Sequence, residues 1–373
     1  MSERFFSCYA SAAFGTEGLV SDELKSFHMN NVRAENGGVH FFTDFAGIVN
    51  TNIRSRISDR IFIILAEGQC LSFESLFQMV IKIPWEFYAK GDEAFNFSCK
   101  CSRSQLMSPR DCQSISKKAL IERLKKAGKG SYFPENNGEL SIMLSVRNNN
   151  VKVLLNTSGA ALSRRGYRTW NGEAPLRETL AAALVELSPW KPGLPLHDPC
   201  CGTGTILVEA ALQKCQKAPG LNRSFAFEQF SWIDYAAFIE IKNRIQKESF
   251  FSDSSRISGS DIDSETLLLA QKHIHQAGME HQINVFHSPL QDLQLPEERG
   301  VFICNPPYGE RMNSQEACRK LYHDLFLLKQ RHPGWSLCAI TSDPAFERSF
   351  GKRAERKRRL YNGRLECTYY IYE

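Results

Sequence analysis

The stretch "DPCCGTGT", Asp198–Thr205, stands between the apolar run "LPLHD" and the helical pattern "TILVEAALQKC". A glycine loop that leaves a strand and opens a helix lets a ligand approach the backbone beside the positive helix end. Three ligand classes use such loops, and two fit badly. A P-loop carries a lysine directly after its last glycine, where Thr205 follows Gly204. A dinucleotide fingerprint needs a third glycine or alanine, where Leu207 stands, and an acid about twenty residues later. The remaining class has an amino-acid end and a ribose but no phosphate, and it favours an acid in the loop over a lysine. Asp198 is placed to orient its ammonium, and Asp261, ending the next strand pattern "RISGSDID", to accept both ribose hydroxyls. S-adenosylmethionine has those groups. For the loop alone, a glycine turn that merely joins strand to helix is the plainer alternative.

The second motif, "ICNPPYGER" at Ile303–Arg311, removes that alternative. Asn305 follows the apolar strand "GVFIC", so it falls on the same carboxyl edge as Asp198 and Asp261. Prolines there hold an extended backbone whose carbonyls are free for another donor. A planar exocyclic amine has two N–H donors, which the Asn305 side-chain oxygen and the Pro306 carbonyl can accept. That steers the nitrogen lone pair toward an electrophilic methyl. Tyr308 is placed to stack on the base, a contact worth roughly 1 to 3 kcal/mol.

Outward from these motifs, strand, loop and helix patterns alternate from Gly166 onward, through "SETLLLAQKHIHQAG", "INVFHS" and "SLCAITSD". Such alternation makes a parallel sheet covered by helices. In "APLRETLAAALVEL", Leu176, Leu180, Leu184 and Leu187 form one helical stripe, with Pro175 near its start. The tail "KRRLYNGRLECTYYIYE" holds Asn362 and Gly363 between two strand patterns, which predicts an antiparallel hairpin closing the sheet. The first 160 residues mix short strands and helices in small α+β units, with a hairpin around Asn148, Asn149 and Asn150 and a basic amphipathic helix in "DCQSISKKALIERLKKAGKG".

Composition narrows the class further. At 373 residues, with 42% hydrophobic and 23% charged, the chain is an ordinary well-packed protein of two or three domains. No apolar run reaches the eighteen or so residues of a membrane helix, and the amino terminus lacks a signal-peptide core, so a cytoplasmic protein is expected. Twelve cysteines scattered through a chain of this length read as free thiols. Cys99 and Cys101 lie two apart, Cys200 and Cys201 are adjacent, and neither spacing is the CxxC of a zinc site, so no metal is expected. The net charge of +5 is mild, yet basic residues cluster at Arg54, Arg56 and Arg60, along the helix with Lys117 and Lys118, at Arg164, Arg165 and Arg168, and from Lys352 to Arg359. A charge run is more often a solvated face than a binding surface, and four such clusters in one chain weaken that reading without removing it.

The chain resembles the class I methyltransferases that act on guanine N2 of RNA, in the branch with a THUMP domain, similar to the bacterial large-subunit rRNA guanine-N2 methyltransferases. The resemblance rests on "SRRGYR" at 163–168, "EAPLRETLAAALVELSPW" at 173–190, "DPCCGTGTILVEAAL" and "APGLNRSFAFEQF", in that order, and covers nearly the whole length. It implies an α/β fold: a ferredoxin-like segment over 1–68, a THUMP RNA-binding domain over 69–160, and a Rossmann-like catalytic domain over 161–373. It also implies S-adenosylmethionine at Asp198, Pro199, Cys200, Gly202, Thr203, Gly204, Thr205, Asp261, Ile262 and Asn305, and the target base at Asn305, Pro306, Pro307 and Tyr308. Family members usually carry an aspartate near the adenine after the third strand. Here Ser288 holds that place, and either Asp292, further along the loop, takes over or the adenine is held by backbone and packing alone.

RNA, ribosomal rather than transfer, is the expected partner, with Lys117, Lys118, Arg164, Arg165 and Arg168 as its phosphate ligands. The amino-terminal half then selects the RNA, and deleting residues 1–160 is expected to spare cofactor binding. A tRNA guanine-N2 or DNA adenine-N6 methyltransferase shares the amine geometry. A protein-glutamine methyltransferase would have little use for the basic clusters, and a non-catalytic RNA-binding assembly factor would not need intact motifs.

Overall fold

The computed structural model describes residues 4–130, 132–135, 137–168, 176–250, 256–307 and 315–373. Its strands form two seven-stranded sheets. The first contains β1 (Phe6–Ser11), β2 (Asn30–Glu35), β3 (Gly38–Thr43), β4 (Arg60–Gln69), β5 (Ala94–Ser102), β6 (Glu139–Arg147) and β7 (Asn150–Asn156), in the order β2-β3-β1-β4-β7-β6-β5. All its pairings are antiparallel except β5 with β6. The β6–β7 turn shows why asparagines stand there: Asn148 and Asn149 have φ of 50° and 64°, the left-handed pair of a type I′ turn. Strand β4 is long enough to pair with β1 at its start and with β7 along its length, so the two amino-terminal segments share one continuous sheet.

The second sheet contains β8 (Leu196–Asp198), β9 (Ile257–Asp261), β10 (Ile283–His287), β11 (Gly300–Cys304), β12 (Trp335–Thr341), β13 (Arg356–Asn362) and β14 (Leu365–Tyr372), in the order β10-β9-β8-β11-β12-β14-β13. Strands β8 to β12 run parallel, and β14 runs antiparallel to both its neighbours. Every residue of β11 is buried, as a central strand covered on both faces requires. Strand order reverses between β8 and β11, and a crevice opens at the carboxyl ends of strands at such a switch point.

Two sequence expectations shift by a residue or two. The closing hairpin turns at Gly363 and Arg364, with Asn362 still paired to Leu365. Of the two, only Gly363 has positive φ, +68°, the pattern of a type II′ turn with glycine first. The helix expected to carry Leu176 runs over Glu178–Leu187, so Leu176 precedes it and is buried on its own account, while Pro175 lies outside the described residues.

The two halves are joined by more than a linker. The segment after helix Thr205–Lys214 carries Phe225, Phe227, Phe230, Phe238, Ile241 and Ile245, all buried in the same apolar core as β1, β3, β4, β6 and β7. Gly220 donates its N–H to the Ile53 carbonyl at 2.9 Å, and a Cβ there would come within 2.8 Å of that carbonyl. Residues 161–373 alone would therefore expose a row of aromatic side chains. The expectation that deleting 1–160 leaves a competent cofactor domain is revised accordingly. No helix among the described residues is long and apolar enough to cross a membrane.

Candidate active site

The three residues of β8 are all buried, and Asp198 ends the strand at the switch point. Its Oδ1 accepts the Cys200 N–H at 3.1 Å, which bends the chain into the loop. The loop is tied across to β9: the Cys201 N–H donates to the Ser260 carbonyl at 3.0 Å, and the Gly202 N–H donates to Asp261 Oδ2 at 2.8 Å. Gly202 and Gly204 have φ of +51° and +79°, a left-handed conformation that side chains rarely adopt, and Gly204 caps the helix Thr205–Lys214. A Cβ on Gly202 would meet nothing within 4 Å, so the backbone lies open to the crevice.

Asp261 also accepts the Asp263 N–H on Oδ1 at 3.0 Å, and Asp263 in turn caps the helix Ser264–Ala277. Both carboxyl ends are thus fixed by backbone donors. Burial, the main cause, pushes the Asp198 carboxyl well above the ordinary carboxylate range, against the pull of the Cys200 hydrogen bond and with help from the Asp261 charge. A buried carboxyl in that state is suited to a cationic partner.

These residues line a cavity of about 560 Å³, within the range of small-molecule sites. Of the candidate residues, Asp198, Pro199, Cys200, Gly202, Thr203, Thr205, Asp261, Ile262, Asn305 and Pro307 line it. Gly204 caps the loop's helix and Pro306 is buried beside Asn305; neither is among the residues that line the cavity. Tyr308 lies outside the described residues. Asp292 is exposed and does not line the cavity, because the turn closed by its N–H on the Pro289 carbonyl carries it past the rim. Ser288, Leu290, Gln291 and Asp324 form that wall instead. Gln291 donates to Asp324 at 2.6 Å, joining the loop to the helix Gln315–Arg331, a contact between residues 33 apart that no local pattern announces.

Two features decide what the cavity can hold. Its carboxylates are Asp198, Asp261, Asp263 and Asp324, and no lysine or arginine is among its described lining residues. A phosphate-bearing cofactor would meet repulsion there, whereas a ligand with an ammonium, a sulfonium and ribose hydroxyls meets acceptors. The donor set fits S-adenosylmethionine. Asn305, at the end of β11, has a buried Oδ1 without a hydrogen-bond partner among the described residues. An orphaned acceptor costs about 1 to 3 kcal/mol, which a bound N–H donor would recover.

Three supports escaped the sequence reading. His197 is fully buried beneath the loop, with Nδ1 2.8 Å from Ser258 Oγ and Nε2 3.0 Å from Ser260 Oγ, and burial lowers its pKa to about 3, so it is a neutral strut. A Cβ on Gly259 would lie 2.5 Å from Leu207 and 2.9 Å from Cys201, so this glycine lets β9 approach the loop. Arg168 donates to Thr205 Oγ1 and to the Leu176 carbonyl and pairs with Glu178 at 3.4 Å, holding the first residue of the loop's helix.

The last finding corrects the reading of "SRRGYR" as a phosphate clamp. Arg168 and Arg165 face inward: Arg165 is 3% exposed, pairs with Glu209 at 3.4 Å and donates to the backbone carbonyls of Ser55, Arg56 and Leu162. A guanidinium with that many internal acceptors has none of its donors left for RNA. Arg164 is exposed, as are Lys125, Lys126 and Lys129 at the end of the basic helix. That helix spans Pro109–Lys126, and on it Lys118 is exposed while Lys117 pairs with Glu135 at 2.6 Å.

Comparison with known proteins agrees with this geometry. Residues 165–371 match the family model described as "RMKL-like, methyltransferase domain", residues 7–62 an RlmL ferredoxin-like domain, and residues 70–156 a THUMP domain. The chain is 34% identical over 98% of its length, and 96% of the relative's, to "Putative RNA methyltransferase YpsC" of Bacillus subtilis (strain 168). It is 31% identical over 98% of its length to Ribosomal RNA large subunit methyltransferase K/L of Shewanella amazonensis, of which it spans 53%. The solved structure of SMU.472, "a putative methyltransferase complexed with SAH", superposes with a TM-score of 0.93 at 35% identity, covering 100% of this chain and 98% of that one. The carboxylate-lined crevice, the fold around it and these matches agree, and the chain belongs to the RMKL-like methyltransferase family and uses S-adenosylmethionine.

Proposed function

We propose that the chain transfers a methyl group to the exocyclic N2 amine of a guanine in RNA, ribosomal RNA of the large subunit being favoured over tRNA. The observation that carries this reading is the buried, unpartnered Oδ1 of Asn305 at the edge of a carboxylate-lined cavity. It is an acceptor held for a donor that arrives with the substrate. S-adenosylmethionine supplies an electrophilic methyl on a sulfonium. The chain's own residues orient everything else.

Asp198 accepts the ammonium of the cofactor's amino-acid end, and Asp261 keeps a lone pair on each oxygen for the ribose hydroxyls after its two backbone bonds. Ile262, 70% exposed at the cavity edge, offers an apolar plate to the adenine, whose far side falls to Ser288 and Leu290 rather than Asp292. Asn305 Oδ1 and the Pro306 carbonyl accept the two amine N–H donors, and Tyr308 stacks on the base. Holding two reactants in near-attack geometry supplies about 7 to 11 kcal/mol, so no strong general base is required. The base leaves its stack to reach the pocket, at a cost of a few kcal/mol.

The amino-terminal units, 1–68 and 69–160, select the RNA for the catalytic unit 161–373. Lys118, Lys125, Lys126, Lys129 and Arg164 supply exposed phosphate partners, and Tyr132, 80% exposed just beyond the basic helix, a stacking face.

The test is nucleoside mass spectrometry after incubating purified chain with S-adenosylmethionine and, separately, unmodified rRNA, tRNA or genomic DNA. N2-methylguanosine in the rRNA pool is expected. The same nucleoside in tRNA alone would move the substrate class, and N6-methyladenine in DNA would overturn the guanine assignment while leaving the amine geometry intact.

A further inference from the structure

The spacing of Cys99 and Cys101 argues against a metal site when only the sequence is read, because it is not the CxxC of a zinc site. The tertiary structure adds a third cysteine. Strand β5 is the edge strand of the first sheet, and its side chains alternate, so Cys99 and Cys101 project from one face, between exposed Ser98, Lys100 and Ser102. The helix Pro109–Lys126 packs across that face and presents Cys112, fully buried, to the pair. The Cys99 and Cys101 sulfurs are 3.5 Å apart, and all three sulfurs lie within 4.8 Å of one another.

A metal–sulfur bond of about 2.3 Å sets ligand sulfurs about 3.8 Å apart in a tetrahedral site and about 4.0 Å apart in a trigonal one. The observed spacings, 3.5 Å for Cys99 to Cys101 and at most 4.8 Å for the other two pairs, need only small adjustments to reach those values. A disulfide fits less well: residues two apart on a strand have Cα atoms about 6.6 Å apart, near the upper limit of about 6.8 Å for that bond. Cys99 and Cys101 are only half-buried, which leaves an ion an entry path.

We propose that Cys99, Cys101 and Cys112 form a three-thiolate site for a thiophilic d10 cation, of the zinc(II) or copper(I) class, that clamps the basic helix to the edge strand. Thiolate ligands select these ions over hard cations such as magnesium. Each sulfur gives its proton to the buffer and donates a lone pair to the metal, with no change of oxidation state. Burial and the neighbouring thiols raise the Cys99 thiol above the ordinary range and the Cys112 thiol to about 11, so the metal-free site rests as neutral thiols that pack like small apolar side chains. The site is independent of the methyl-transfer reading, since none of its residues lines the cofactor cavity.

The experiment uses the full chain, reduced and free of oxygen, titrated separately with Zn²⁺ and with Cu⁺ against chromophoric chelators, and with Cd²⁺ for its thiolate charge-transfer band. One equivalent per chain is expected, with the tighter of Zn²⁺ and Cu⁺ identifying the ion. C99S, C101S and C112S should each weaken binding by more than about 100-fold, since loss of an outer partner alone costs about 10- to 100-fold, while C70S leaves it unchanged. Should the variants fold poorly, alkylation mapped by mass spectrometry serves on the unaltered chain: one equivalent of metal should protect Cys99 and Cys101. Equal affinity in C112S, or alkylation of Cys99 and Cys101 undiminished by metal, would overturn the proposal.

Discussion

At Asn305 the question is what a buried acceptor without a partner is for. If it orients the amine, its loss touches transfer and not cofactor binding. Asn305→Ala is expected to lower kcat by about 100- to 1,000-fold, the effect of removing one preorganised hydrogen-bonding group, with the S-adenosylmethionine Kd unchanged on calorimetry. A parallel loss of cofactor affinity would place Asn305 with the cofactor instead. Asp198 makes a second prediction, through pH. Its proton is held more tightly in the folded chain than in the unfolded one, chiefly because of burial. Its contribution to stability is therefore full below the ordinary carboxylate pKa and is lost as pH rises through the folded one. An ammonium beside it reverses that balance and expels the proton. Cofactor affinity is then expected to rise with pH over that window, with proton release visible as a buffer-dependent binding enthalpy that Asp198→Asn abolishes. Binding without proton release in the unaltered chain would show that the ammonium sits elsewhere.

Among the elements, β9 is the one whose fit to its neighbours decides the site. Gly259 lies where a Cβ would press on Leu207 and Cys201, so the helix after the loop and the strand beside it approach over a single missing methyl. Gly259→Ala is expected to cost about 1 to 3 kcal/mol in urea unfolding and to raise the cofactor Kd, because the displaced strand carries Asp261. A variant of full stability and affinity would mean that the two elements have slack. Here the sequence was half legible. The motif "DPCCGTGT" and the acid of "RISGSDID" announce a strand, a loop and a ribose partner. The need for glycine in "SGSD" is set by a side chain on another element, which no local pattern records. Asp324 is hidden for the same reason: it is one polar position on a helix until Gln291 and the cavity are placed beside it.

Over the whole molecule, the halves behave as one body because a buried arginine and a shared core cross between them. Arg165 reaches from the junction to Glu209 on the loop's helix and to the backbone of the ferredoxin-like segment, and Tyr167 donates to the same glutamate at 3.0 Å. Removing one partner of a buried pair strands the other charge. Arg165→Met is therefore expected to destabilise the chain by about 3 to 5 kcal/mol in urea unfolding, and RNA binding by the folded fraction should keep its salt dependence. A stable Arg165→Met protein with a weaker salt dependence would restore Arg165 to the RNA surface.

The sequence by itself determined the class of fold and the chemistry of the site. Periodicity, turn residues and the two edge motifs are local, and they name a parallel sheet and a phosphate-free cofactor loop and mark Asn305 as the candidate acceptor for the amine. Only the tertiary structure decided which charges face water and which thiols meet. Arg164, Arg165 and Arg168 are alike as letters, and burial against Glu209 and Glu178 separates them. Cys112 stands apart from Cys99 and Cys101 along the chain and beside them in the fold. Partner choice and burial depend on contacts between distant segments, and those form only when the chain has folded.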